Sequence, residues 1–394
     1  MEIDVRTAGT AAPTPVRSPG PTATADQRPP RTALVVADDP RHGLNRYAGV
    51  LDAALRAAGT GTSTEVVRRG SVASAVRAAR RARRADVVHL QFTDRYFGSA
   101  VRQLPVVLTL RLALLGRPVV VTAHDFHTPR REVLAARPRS GRARLRAAAA
   151  DATARALLGS ASLVLTCTAA EQDKCAWTRP RRSAVVPHYV EDVARERVDD
   201  ERTDDATIVV AGFIHRRKAQ HLAVEALAHL PGFRLVLAGS ADGRARQYLH
   251  DVLRTAAELG VEDRVSVTGY LDDDSMLRVL RRARVALAPY ERIAASGSIA
   301  TVAAVGVPLV VRAGDAVGDL VEACPSAVRT FAGDDPRAVA AAVLATTAEP
   351  LAQQRAELSR YSAQRGTDVT ARRHVDLYRT LSSPRRARPL ENRR

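Results

Sequence analysis

TIVVAGFIHRRKAQ, residues 207–220, opens as a continuously apolar run, turns at Gly212 and passes through a cationic cluster into a helical pattern. Continuous rather than alternating apolar character marks a strand buried on both faces of a parallel sheet. A glycine turn that leads into a helix presents unpaired backbone amides and the positive end of the helix dipole, so it attracts an anion. Lys218 stands at the helix start, with Arg216 and Arg217 before it. Only Lys174 and Lys218 are lysines among 60 basic residues, and a merely basic turn would therefore carry arginine at that position.

The alternation continues in both directions. Downstream, RLVLAG (234–239), RVSVTGY (264–270), RVALAPY (284–290) and VPLVVRAG (307–314) read as strands, and helical patterns fall at 218–230, 243–260, 273–283 and 297–305. That predicts a parallel sheet of about five strands. Two more loops follow strand ends there, one after Gly269–Tyr270 and one from Pro289 to Ser298, where ASGS (295–298) is a small-residue turn opening a helix. Upstream, TALVVADD (32–39), DVVHLQF (86–92), RPVVVTAHD (117–125), SLVLTC (162–167) and SAVVPHY (183–189) form a first set of strands. Leu44, Tyr47, Leu51 and Leu55 lie at helical spacing before Gly59. The acidic, polar EDVARERVDDERTDDA separates the two sets.

The expected organisation is a disordered leader (1–31), a first Rossmann-like lobe (32–190), a linker (191–206), a second Rossmann-like lobe (207–366), a C-terminal helix (367–383) and a disordered basic tail (384–394). Two doubly wound parallel-sheet lobes place a cleft between the carboxyl ends of their strands, where open α/β folds take ligands.

Composition bounds the reading. Hydrophobic residues at 46% and charged residues at 26% fit a globular core. Cys167, Cys175 and Cys324 show no metal-ligand spacing and read as reduced thiols of a reducing compartment. The first thirty residues lack the apolar segment of a secretory signal. The most apolar stretch, LPVVLTLRLALLGRPVVVTA, is interrupted by Arg111, Arg117 and two prolines, which excludes a membrane span. A cytoplasmic protein is expected. Its charge is lopsided: residues 1–190 hold 30 Arg and Lys against 14 Asp and Glu, whereas residues 191–394 hold 30 against 28. The first lobe therefore carries a positive field, suited to an anionic acceptor or to peripheral contact with an anionic membrane at the inner face of the plasma membrane. With 4% aromatics and no evident recognition helix, specific nucleic-acid binding is not expected.

The order of these motifs resembles the retaining glycosyltransferases of family 4, which have the GT-B fold, over roughly residues 32–383. The matching elements are the Gly212-x5-Lys218 turn, LAGS at 237–240, VSVTGY, LAPY and GVP in the second lobe. In the first they are the loop at Gly43 and Thr122-x-His124-Asp125. The resemblance implies a metal-independent hexosyltransferase without a cofactor. It would take a UDP-, GDP- or dTDP-linked sugar and pass it, with retained configuration, to a glycan, lipid-linked or small-molecule acceptor of polysaccharide or secondary-metabolite biosynthesis. By that resemblance His124, Lys218 and Arg217 are the catalytic candidates. Gly212, Arg216, Gly239, Gly269, Tyr270, Glu291, Ser296, Gly297, Ser298 and Thr301 would bind the donor. Gly43, Arg46, Asp125 and His127 would face the acceptor. Two departures stand out: Phe213 replaces the arginine after the turn glycine, and the E-x7-E pair is absent. Thr301 takes its second position and Ile293 its first, with Glu291 two residues away; Ser296–Gly297–Ser298 resembles the S-G variant of that loop. A nucleotide-sugar 2-epimerase of the same fold and a non-catalytic sugar- or nucleic-acid-binding protein are the alternatives.

Overall fold

The computed structural model describes residues 28–40, 42–125, 141–191, 204–243, 245–291 and 296–382. They form two lobes, each around a six-stranded, wholly parallel sheet. The first sheet comprises β1 (Thr32–Ala37), β2 (Thr62–Val67), β3 (Val87–Phe92), β4 (Val119–Ala123), β5 (Leu163–Thr166) and β6 (Ser183–Val185), in the order β2-β1-β3-β4-β5-β6. The second comprises β7 (Asp204–Ala211), β8 (Arg234–Ala238), β9 (Val265–Val267), β10 (Ala283–Ala288), β11 (Leu309–Arg312) and β12 (Val328–Phe331), ordered β12-β11-β10-β7-β8-β9. β1, β3, β4 and β10 are buried along their whole length, which is why they are apolar without alternation.

Strand order reverses between β1 and β3 in the first lobe and between β7 and β10 in the second. At such a reversal successive helices leave on opposite faces, and a crevice opens between the loops. The Gly43 loop occupies one crevice. The Gly212–Lys218 turn and the start of the helix Gly297–Val305 occupy the other.

Three boundaries differ from the sequence reading. The second sheet has six strands rather than five, because β12 pairs along β11 at the edge. β7 begins at Asp204, so the linker ends three residues earlier than expected. The Asp204 carboxylate accepts from the Ala206 amide at 3.0 Å and the Thr207 hydroxyl at 2.6 Å, and this fixes the polar start of the strand. SAVVPHY is a strand only through Val185; Pro187 has no amide to extend the ladder. The edge strand β2 and the helices Pro336–Thr347 and Leu351–Ala363 were not among the elements read from sequence.

On one face of the first sheet lies α1 (Gly43–Ala57). On the other lie α2 (Val72–Ala82), α3 (Ala100–Ala113) and α4 (Gly141–Leu158), with α3 packed against both its neighbours. The C-terminal helix, α5 (Thr367–Ser382), returns from the second lobe to the first. Its Ala371, Val375 and Tyr378 share a core with Tyr47, Leu51, Leu55 and Val120, and the Tyr378 hydroxyl meets His89 Nδ1 at 2.6 Å. The tail beyond Ser382, the leader before Arg28 and most of the linker lie outside the described residues.

Candidate active site

β7 carries the chain to the centre of the second sheet and releases it at Gly212 with φ +102°, a conformation that L side chains rarely adopt. A Cβ there would stand 2.6 Å from Lys218 Nζ and 2.9 Å from Ser298 Oγ. Gly239, at the end of β8, presses on the same turn from behind: its Cβ would lie 2.1 Å from the Gly212 carbonyl oxygen. These two glycines allow three strand ends to converge.

Lys218 closes a short helical turn, Arg216–Lys218, before the helix Gln220–Leu227. Its half-buried ammonium donates to the Ala211 carbonyl at 3.1 Å, the Tyr290 hydroxyl at 3.0 Å and Ser298 Oγ at 3.2 Å, and lies 4.3 Å from the centre of the Tyr290 ring. Ser298 belongs to the first turn of the helix Gly297–Val305, which Ser296 caps by accepting from the Ile299 amide at 3.5 Å. The first amides of a helix have no carbonyl partner within it. A fixed ammonium and a helix start thus face the same space, an arrangement fitted to a polyanion.

The other second-lobe candidates fall around this centre unequally. The Arg217 carbonyl accepts from the Glu291 amide at 2.9 Å, and its guanidinium is exposed. Arg216, expected at the donor, instead lies over the Tyr248 ring at 5.5 Å, because Tyr248 offers it a π face and Lys218 fills the inside of the turn. Gly269 adopts φ +74° and leaves Tyr270 77% exposed at the loop tip. The Thr301 hydroxyl donates to the Gly297 carbonyl at 2.9 Å. His215, not singled out in the sequence, stands in the turn itself; burial, then Arg217 and Lys218, hold its pKa down, while Glu291 opposes them.

In the first lobe His124 is 6% exposed, packed into the wall rather than open to the cleft as the resemblance implied. Its Nε2 bonds to Gln91 Oε1 at 2.8 Å and its ring meets Tyr47 edge-on at 4.7 Å. Burial, followed by His188, lowers its pKa to about 3, so the ring is neutral at physiological pH. Nδ1 stands 4.0 Å from Cys167 Sγ. Asp125, at φ +45°, donates its amide to Glu171, whose other oxygen accepts from Cys167. Gly43 begins α1 behind an N-cap made by His42 Nδ1. Arg46, expected on the acceptor side, is taken up by carboxylates: it donates to Asp273 of the second lobe at 2.7 Å and to Glu191 at 3.2 Å. A guanidinium within reach of two carboxylates binds them in preference to water. His127 lies outside the described residues.

Between the lobes runs a narrow pocket. Cys167, Thr168, Pro187 and His188 line it from the first lobe and Ser296, Ile299 and Ala300 from the second, together with Tyr361 and Arg365. His188 Nδ1 bonds to the Tyr189 carbonyl at 2.7 Å, which leaves Nε2 as the acceptor nitrogen. The sequence reading missed His188, Thr168 and Tyr290. The signal for two of them was present: PHY past a strand end and the tyrosine of LAPY both sit where strand ends feed the cleft. Among the described residues no group of three His, Cys, Asp or Glu side chains is gathered as for a metal, and no helix is long and apolar enough to cross a membrane.

Residues 205–349 match the family model described as "Glycosyl transferases group 1". A lipopolysaccharide core biosynthesis glycosyltransferase, LpsE of Rhizobium meliloti, is 40% identical over 82 residues, a segment covering 21% of this chain and 23% of that protein. Whole-chain similarity appears in structure. Sucrose-phosphate synthase from Thermosynechococcus elongatus superposes with a TM-score of 0.68 at 19% identity, covering 89% of this chain and 98% of that one. Anabaena HepE, in complex with UDP and glucose, superposes with a TM-score of 0.63 at 15% identity over 89% of this chain and 100% of that one. Residues 205–349, which hold the lysine turn at the reversal of the second sheet, thus match a glycosyl transferases group 1 domain, within a chain of GT-B architecture.

Proposed function

We propose that this protein transfers a sugar from a nucleoside-diphosphate donor to a hydroxyl of its acceptor, with retained configuration, as a family 4 enzyme. The observation that carries the reading is the Lys218 ammonium, held by Ala211, Tyr290 and Ser298 at the start of one helix and facing the start of another. Breaking the bond between the anomeric carbon and the diphosphate concentrates negative charge on the departing phosphate oxygen. Cations and amides already aimed at that oxygen lower the barrier without having to reorganise. Lys218, Arg217 and the amides of Gly297 and Ser298 take this part, in place of a metal. The acceptor oxygen forms the new bond to the anomeric carbon, and its proton passes to the departing phosphate.

Neutral His124 serves from behind, holding Tyr47 and the Cys167 segment that walls the pocket. Glu291, at the mouth of the turn, takes over a hydroxyl contact of the ribose. Complexes of HepE with UDP and with UDP-glucose favour a uridine donor here as well. The acceptor approaches over the first lobe near Gly43, at the cytoplasmic face of an anionic membrane. Calorimetric titration with UDP, GDP and dTDP, repeated on Lys218→Ala, tests the assignment. The reading requires one of the three to bind, and the variant to bind it much more weakly.

A further inference from the structure

The outer surface of α3 does not follow the rule for a surface helix. Arg102 aside, its solvent-facing positions are Val101, Pro105, Leu108 and Leu112, and Leu115 continues the line just past its end. Spacings of four, three, four and three put all five on one stripe of the helix. Leu108 is 43% exposed, Leu112 68% and Leu115 62%. A helix in a soluble lobe normally turns such a stripe inward and presents polar groups to water. Here the inward face is apolar too, with Val106, Val107 and Leu110 fully buried. The outward leucines thus add nothing to the core, and a contiguous stripe of this kind marks an interaction surface.

The neighbours of the stripe say what covers it. α2 and α3 contain no Asp or Glu, and α4 contains only Asp151. From α2 come exposed Arg77 and Arg80, exposed Arg84 follows just past its end, and Arg83 is fixed beside the stripe's far end by donating to the Ala113 and Leu115 carbonyls at 2.8 and 2.9 Å. Arg111 near the end of α3 donates to Ser160 just past the end of α4, so the first two turns of α4, with exposed Arg142, Arg144 and Arg146 around a 62% exposed Leu145, lie toward the start of the stripe. An apolar band bordered by arginines along α2 and toward the start of α4 has three classes of partner to consider. A second copy of the chain would set arginine against arginine across a two-fold axis, where each patch meets itself. A nucleic acid would satisfy the arginines and leave the leucines against phosphates. A bilayer surface rich in anionic headgroups matches both parts, with headgroups for the arginines and acyl chains for the leucines.

We infer that the α2–α3–α4 face of the first lobe is a docking surface for anionic lipid, with Leu108, Leu112 and Leu115 entering the headgroup boundary. The inference rests on the membrane-side reading of the acceptor given above and adds to it the exposure and charge of the first lobe. The whole protein is sedimented with vesicles of phosphatidylcholine, or of phosphatidylcholine mixed with phosphatidylglycerol, at low and high salt. The same is done with Leu108→Gln/Leu112→Gln/Leu115→Gln and with Arg80→Gln/Arg84→Gln. The melting temperature and light-scattering mass of each variant are recorded alongside.

The expected result is binding that needs the anionic lipid and falls about tenfold in either variant at unchanged melting temperature, since both sets are exposed. Binding by the leucine variant at the level of the parent would reduce the effect to adsorption of charge and overturn the inference. Negligible sedimentation of the parent with either vesicle would overturn it as well. So would a dimeric parent that the leucine variant turns into a monomer, since the stripe would then be an interface between copies. Nucleotide titration on the same preparations reports separately on the sugar-transfer reading, so each can fail alone.

Discussion

Replacing Gly239 by alanine adds one carbon where the backbone of the next turn already stands. The new Cβ would lie 2.1 Å from the Gly212 carbonyl oxygen, 2.7 Å from its carbonyl carbon and 3.3 Å from the Phe213 amide. Non-bonded carbon contacts settle at about 3.5–4.0 Å, so the turn or the end of β8 must retreat by roughly 1 Å. No flexible side chain can give way, because all three atoms are main chain. Overpacking of this kind costs about 1–3 kcal/mol of stability. The larger effect falls on the site, since Gly212 is the residue that lets Lys218 Nζ and Ser298 approach one another. A displacement of about 1 Å of a positioned group is enough for a loss of roughly a hundredfold in turnover. The measurements are thermal melting and single-turnover sugar transfer on Gly239→Ala, with Gly49→Ala as control. Gly49 is an exposed position inside α1 where a Cβ meets nothing within 4 Å, so alanine there should stabilise by about 0.5–1 kcal/mol and leave turnover alone. A Gly239→Ala enzyme that turns over normally would show that the 212–218 turn does not position the reacting groups.

Lys218→Ala should lower turnover at least about a hundredfold, by roughly 3 kcal/mol of lost stabilisation of the departing phosphate, while the fold persists; steady-state rates and circular dichroism check both. Glu291→Ala should raise the Michaelis constant for the donor more than it lowers kcat, and an unchanged constant would return Glu291 to the role of a surface charge. Acid should destabilise the first lobe through its buried imidazoles. His374 is fully buried, and burial lowers its pKa from 6.5 to about 4. The unfolded chain binds the proton first, so the stability that neutral His374 contributes is complete above pH 6.5 and is lost as pH falls toward 4, about 3 kcal/mol in all. His374→Gln should flatten denaturant midpoints over that window; an unaltered pH slope would remove His374 from the account.

Strands that are buried on both faces announce themselves by unbroken apolar runs, and β1, β3, β4, β7 and β10 were legible for that reason. Edge strands were not. β2, TSTEVV, buries only Val67 fully and is otherwise Thr, Ser, Glu and an exposed Val66, while β12 offers four residues with an arginine among them. The same logic governs the site. Gly212, Lys218 and Ser298 could be read because glycine turns and helix starts have local signatures. Arg46 and Arg216 could not be placed, since their partners Asp273 and Tyr248 are far away in the chain and only packing brings them near. His124 was visible as a strand-end histidine, but its burial behind Tyr47 depends on α1 and α5, whose arrangement no local pattern encodes. The apolar stripe of α3 was visible as hydrophobicity without a direction; exposure becomes known only when α2 and α4 take the other sides.

The return of α5 to the first lobe has a consequence for how the molecule is made. Ala371, Val375 and Tyr378 complete a core whose other walls are Leu34, Tyr47, Leu51, Leu55, Val87 and Val120. On the ribosome those early residues emerge first, yet their covering helix is translated only after the whole second lobe. At about 5–20 residues per second, that interval is roughly ten to forty seconds. Throughout it that face of the first sheet has α1 but not α5 over it, and His89 lacks the hydroxyl of Tyr378. The lobe made first is therefore finished last, and the nascent chain needs shelter for that apolar face while the second lobe, whose own core is contiguous in sequence, folds ahead of it.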